Sequence, residues 1–189
     1  MIDQALSFTE SILNQFFKNR FSLDENAAVL NAIIDADGSI PLKNQNKVVV
    51  SLINVEEETL KPFMQRNTKL QDGSYVKHAP IARYNLEMLI TSNFDDYNET
   101  LKFLNAAILF FQSNAVVTSA NYSSMPKSIE KLEFDLEKLD YHQMHNLWSA
   151  MGAKYQPSVI YKIRLVTLDS DEAQQFMQAI TKTQNQIKP

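Results

Sequence analysis

Ser158-Val159-Ile160-Tyr161-Lys162-Ile163-Arg164-Leu165-Val166-Thr167-Leu168 is the longest run of strand-forming residues in the chain, and Pro157 in front of it bars a helix. Val159, Tyr161, Ile163 and Leu165 share one face at a period of two, which predicts a long strand laid against a core. A strand needs neighbours, and three other stretches supply them. Lys47-Val48-Val49-Val50-Ser51-Leu52-Ile53-Asn54-Val55 is β-branched and apolar on both alternating faces, the pattern of an interior strand covered on both sides, and Glu56-Glu57-Glu58 ends it with charge. Across 82–91, Tyr84, Leu86, Met88 and Ile90 alternate with Asn85, Glu87 and Leu89, which predicts a mostly half-buried strand. Across 129–137, Leu132, Phe134 and Leu136 alternate with Glu133, Asp135 and Glu137, giving a strand with one wet face that looks to solvent or to a basic surface of a partner.

Helical periodicity fills the spaces between. Ile2, Ala5, Leu6, Thr9, Leu13, Phe16 and Phe17 form one apolar stripe, so residues 2–20 read as an amphipathic helix. Asp96 with Glu99 three residues later can cap a helix over 95–112, whose buried stripe is expected at Leu101, Leu104, Ile108 and Phe111. Asp140 can cap a short helix that ends at Met151, where Gly152 suits a left-handed stop. Val29, Leu30, Ile33 and Ile34 favour a short strand before the turn at Asp35-Ala36-Asp37-Gly38. Residues 59–79 form a long polar connection, expected to be the most flexible internal segment; 113–128 read as a loop, and 170–183 as a helix leading into a polar tail.

The chain of 189 residues suits a single domain, 1–189, with 170–189 as its C-terminal helix and tail. With 44% hydrophobic and 21% charged residues it has the composition of a folded protein. A net charge of −4 offers no general positive field for nucleic acid or an anionic membrane. Cysteine is absent, which removes disulfides, thiolate nucleophiles and zinc–sulfur sites together. Met1-Ile2-Asp3-Gln4 lacks the basic start of a secretory signal, and no apolar run approaches the roughly 20 residues of a membrane span. The expectation is a soluble chain with neither nucleic acid nor membrane as partner.

Enzyme chemistry finds little to stand on. The three glycines, Gly38, Gly73 and Gly152, cannot write a dinucleotide-binding or phosphate-cradling loop. His142 and His145 sit three apart on the expected short helix and could face one metal, but a zinc site needs a third and usually a fourth ligand, and the remaining histidine, His78, lies in the long connection. Asp35 and Asp37 before Gly38 lack the further oxygen ligands of a calcium loop, and adjacent glutamates at 56–58 point to alternate faces of a strand. No catalytic, metal or cofactor-binding residue is assigned. Trp148, the single tryptophan, is either core beneath its helix or an anchor at a subunit contact, where tryptophan and tyrosine are enriched.

The run Leu147-Trp148-Ser149-Ala150-Met151-Gly152-Ala153-Lys154-Tyr155-Gln156-Pro157-Ser158-Val159-Ile160-Tyr161-Lys162-Ile163-Arg164 resembles the signature of the cap, or tube-and-sheath terminator, family of phage-tail-like contractile injection systems. Three more stretches resemble the same family in the same order: Ile2-Asp3-Gln4-Ala5-Leu6, Ser51-Leu52-Ile53-Asn54-Val55-Glu56-Glu57-Glu58, and Phe94-Asp95-Asp96-Tyr97-Asn98-Glu99 leading to Phe110-Phe111-Gln112. The resemblance implies a tail-terminator-like protein that closes the inner tube and contractile sheath at the end distal to the baseplate. It also implies a homo-hexameric ring in contact with tube protein and sheath protein, assembled in the cytoplasm and then carried in an extracellular or membrane-associated particle. Some members have a further C-terminal region, whose role is not carried over.

The expected fold is α/β in the α+β sense: a mixed, mainly antiparallel sheet packed by helices. Trp148, Tyr155 and Pro157 are the candidates for holding the assembly, and Glu133, Asp135 and Glu137 for a charged contact face. Two rival readings stay open: an assembly factor or adaptor of the same system, and a metal-dependent enzyme built on His142 and His145.

Overall fold

The computed structural model describes residues 1–58, 67–69, 75–77 and 82–168. Among the described residues three α-helices, α1 (Ile2–Phe21), α2 (Tyr97–Ser113) and α3 (Tyr141–Met151), accompany eight strands. The strands are β1 (Ala28–Leu30), β2 (Lys47–Glu57), β3 (Asn67–Lys69), β4 (Tyr75–Lys77), β5 (Ala82–Asn93), β6 (Val116–Thr118), β7 (Lys131–Glu137) and β8 (Ser158–Leu168). Six of them build one sheet in the order β1-β2-β5-β8-β7-β6, while β3 and β4 pair antiparallel with each other. Within the six-stranded sheet β1 runs parallel to β2 and the other neighbours are antiparallel, so the sheet is mixed and mainly antiparallel.

The long strand at 158–168 lies in the middle of that sheet, between β5 and β7. Val159, Tyr161 and Ile163 face the larger core, as their spacing requires. On the same face α1 contributes Leu6, Phe8, Ile12, Leu13 and Phe17, and α2 contributes Phe103, Phe110 and Phe111. Aromatic rings join the layers: Phe17 meets Phe103 edge-on at 5.4 Å, and Phe111 lies 4.4 Å from Tyr161 and 5.0 Å from Phe134. Such pairs add stabilisation beyond the area they bury.

The helix over α2 is capped as expected at its start, where Asp96 accepts from the Asn98 N–H at 2.7 Å, but its buried face is turned. Thr100, Phe103, Ala106, Ala107, Phe110 and Phe111 are buried, while Leu101 is 44% exposed and Leu104 and Ile108 are half-buried. The helix is apolar round most of its circumference, so periodicity does not choose a side. Ala106 and Ala107 choose it, because small residues let a helix approach closely while the aromatics beside them fill the gap.

Strand β5 is also more deeply set than its alternation predicts. Leu86, Met88 and Ile90 face the helices, and Leu89 is buried on the opposite side in a second cluster with Val49, Ile160, Trp148 and Ile33. Residues 116–118, read as loop, form the edge strand β6 against β7; three residues are too few to show a pattern. Of the connection 59–79, Asn67–Lys69 and Tyr75–Lys77 form the small antiparallel pair; the remainder, with its expected flexibility, lies outside the described residues. So does the helix expected at 170–183.

Asparagines tie down what the strands do not. Asn14, buried on α1, donates to the Ala28 carbonyl at 3.0 Å and accepts from the Ala28 N–H at 2.7 Å, acting as a strand partner for the edge of β1. Asn44, also buried, donates to the Ala32 carbonyl at 2.8 Å and accepts from Asn31 at 2.9 Å, holding the loop that follows β1.

Candidate interaction surface

The two faces of the sheet are finished differently. Among the described residues, helices α1 and α2 cover one, and on the other α3 covers the end that carries Val49, Leu89 and Ile160. The start of α3 is a full capping box, with Asp140 accepting from the Gln143 N–H at 2.8 Å and Gln143 accepting from the Asp140 N–H at 2.9 Å. Its end is the left-handed Gly152, at φ +68. Both stops put Trp148 inward, 4% exposed, with Tyr155 edge-on to it at 5.6 Å.

Between α3 and the sheet lies a cleft of about 330 Å³, lined by Leu89, Leu136, Leu139, Leu147, Trp148 and Ile160, with Glu137 at its border. The walls are apolar, and the indole N–H of Trp148 has no hydrogen-bond partner among the described residues although it is buried. A buried donor without a partner costs about 1–3 kcal/mol.

Beyond the cleft the same face carries a ladder of charge. Register sets Glu87 of β5, Lys162 of β8 and Asp135 of β7 side by side, with Glu56 opposite Asn85 and Glu133 opposite Arg164. Lys162 lies 3.2 Å from Glu56, 3.6 Å from Glu87 and 3.9 Å from Glu137. Arg164 pairs with Asp135, and Lys131 with Glu133 at 2.6 Å. Partial burial works against the charge of Lys162, and Glu56, Glu137 and Glu87 together outweigh it, so its pKa lies above the ordinary lysine range.

A family model described as the Pvc16 N-terminal domain matches residues 8–182. The chain belongs to the Pvc16 N-terminal domain family. No curated protein matches it. Among solved structures it is similar to the anti-feeding prophage cap, described as the tube-terminating cap, with a TM-score of 0.54 and 13% identity over 96% of this chain and 61% of that one. It is also similar to the sheath/tube terminator of the extracellular contractile injection system PVC in its extended state, with a TM-score of 0.49 and 15% identity over 94% of this chain and 62% of that one. The chain thus spans about three fifths of the length of each.

For this member of the Pvc16 N-terminal domain family, the residues singled out from sequence fall on one side of the sheet. Trp148 is buried, 4% exposed, and Tyr155 beside it is 60% exposed. Pro157 is half-buried, and its carbonyl accepts from the Ser92 N–H at 3.1 Å, extending the pairing of β5 with β8. Glu133, Asp135 and Glu137 face outward but are engaged by cations of their own chain. Leu136, expected to be buried with Leu132 and Phe134, is 52% exposed, because the short β6 stops short of it. His142 and His145 are exposed on α3, His78 lies outside the described residues, and no three of His, Asp or Glu gather as a metal site among those described. Among the described residues no helix is long and apolar enough to cross a membrane. Sequence reading missed Glu56, Glu87, Lys162 and Arg164 as one network, because only strand register brings them together; the period-two placement of Lys162 and Arg164 opposite the apolar face was the available signal.

Proposed function

We propose that this chain is a structural cap that terminates the inner tube and sheath of a contractile injection particle at the end away from the baseplate, assembling as a homo-hexameric ring. The observation that carries the reading is the family match over residues 8–182, and the fold likeness to the anti-feeding prophage tube-terminating cap over 96% of the chain supports it. Stacked identical rings grow through head-to-tail faces and have no intrinsic stop, so a terminator must match the end ring on one side and refuse a further ring on the other. A ring engages all its sites at once, which turns modest single contacts into tight capping.

The reading is non-enzymatic: the work is shape recognition and closure. Its partners are its own copies, the tube protein and the sheath protein, with assembly in the cytoplasm before the particle reaches its final place. Electron microscopy of particles from cells with and without this protein tests it. Cells lacking the protein should still polymerise tube, with open ends and sheath poorly retained. Particles with unchanged ends, length and sheath in its absence would overturn the reading.

A further inference from the structure

On the α3 face of the sheet, an apolar cleft and a charge ladder meet at Glu137, which borders the cleft and also lies 3.9 Å from Lys162. The cleft, at about 330 Å³, is at the small end of ligand sites and suits one or two large side chains better than a cofactor. Its Trp148 wall holds an indole N–H that is buried and has no partner among the described residues.

Charge selects the kind of occupant. Among the described residues of the ladder, Glu56, Glu87, Glu133, Asp135 and Glu137 share Lys131, Lys162 and Arg164, five carboxylates to three cations. Lys138 also borders the cleft, so the favourable field lies on the ladder side of it. An acidic excess beside an apolar slot complements a segment in which a large apolar residue is followed by lysine or arginine. A second copy of this chain, with a net charge of −4, is the poorer match.

We propose that the cleft between α3 and β7–β8 receives a large apolar side chain from a lysine- or arginine-bearing segment of another protein, with the charge ladder holding the basic residues. The inference rests on reading this chain as a subunit that contacts other proteins, and it names the contact. Trp148 is the single tryptophan of the chain, so its fluorescence reports on the cleft directly. The full-length protein is titrated with a blocked peptide of alternating lysine and leucine, and with its glutamate and leucine counterpart, at low and high salt. The expected result is a saturable change in emission with the basic peptide, at least tenfold weaker with the acidic one, and weakened by salt. Leu136→Glu and Glu137→Lys should each weaken it at least fivefold with the thermal melt preserved. No saturable change, or equal affinity for both peptides, would overturn the proposal.

Two other occupants are separated in the same experiment. If Phe176→Glu in the full chain shifts Trp148 emission without any peptide, the cleft holds the chain's own C-terminal segment and the proposal is wrong. If dilution alone shifts it, a second copy is the occupant, with the same consequence. On particles, equal incorporation of wild type and Leu136→Glu at the ends would overturn the proposal and leave the cap reading standing. Absence of the wild type from particle ends would remove the cap reading, and the peptide titration would then decide the cleft alone.

Discussion

The helix-covered face of the sheet and the α3 face are built from the same strands, yet among the described residues two helices cover the first and one short helix covers an end of the second. Toward α1 and α2, the buried residues form one continuous cluster dominated by Phe17, Phe103, Phe110 and Phe111. Toward α3, five buried residues make a small cluster, and the sheet beyond it carries paired charge. Among the described residues, the first face holds the larger share of the buried apolar side chains. Substitutions on the two faces should therefore differ in kind as well as in size.

The largest effect belongs to the first face. Phe111 is 1% exposed and touches Phe110, Phe134 and Tyr161, so Phe111→Ala should cost about 3–5 kcal/mol, measured by urea unfolding. A cost below that of the same change on the α3 face would reverse the ranking of the two cores.

Trp148 gives the matching measurement on the second face. Trp148→Ala should cost about 3 kcal/mol, at the low end of the range for large aromatics, because its site borders an open cleft and can relax. Trp148→Phe should cost less than ~1.5 kcal/mol, since the indole N–H it removes has no partner among the described residues to lose. If Trp148→Phe is as damaging as Trp148→Ala in a chain that still folds, the N–H is bonded in solution and the α3 face is more complete than described.

How much of this asymmetry was legible in the sequence can be judged residue by residue. Pro157 and the alternation after it placed β8, and Asp140 with Gly152 placed both ends of α3, because caps and breakers act locally. The turn of α2 was not legible, since Leu101, Leu104 and Ile108 are as apolar as the residues that are buried, and only the partner surface decides between them. Nor was the role of Asn14, whose clamp on Ala28 depends on where β1 lies relative to α1. Of the candidate surface, the outward set of Glu133, Asp135 and Glu137 was readable from period two, whereas their cations come from other strands and depend on register. The cleft was not readable at all: it is the space left where α3 lands.

A smaller effect tests the ladder. Lys162→Met removes the cation shared by Glu56, Glu87 and Glu137 and leaves three carboxylates facing one another, which should cost about 1 kcal/mol at low salt. Salt should narrow the gap between wild type and variant, weakening attraction in the first and repulsion in the second, as paired urea melts would show. Because the pKa of Lys162 is raised in the fold, its contribution is fully present below the ordinary lysine range and is lost as pH rises through the folded value. A gap that is unchanged by salt would mean that packing of the lysine stem, and not its charge, matters here.

The smallest effect lies back on the first face, at a half-buried carboxyl. Glu10 of α1 is half-buried; burial pushes its carboxyl above the ordinary range, and a hydrogen bond from Asn14 at 3.3 Å offsets this only in part. A carboxyl with a raised pKa binds its proton more readily folded than unfolded, so its charge takes stability away at neutral pH, and that loss fades as pH falls through the folded value. Glu10→Gln keeps an acceptor for Asn14 and removes the charge. It should raise stability at neutral pH by on the order of a few tenths of a kcal/mol, once solvent screening of so accessible a group is allowed for. Thermal melts from neutral pH down through the carboxylate range should show the two proteins converging. Wild type standing above the variant at every pH would show that the charge is welcome on this helix, and that the dry face and the charged face differ less than their packing implies.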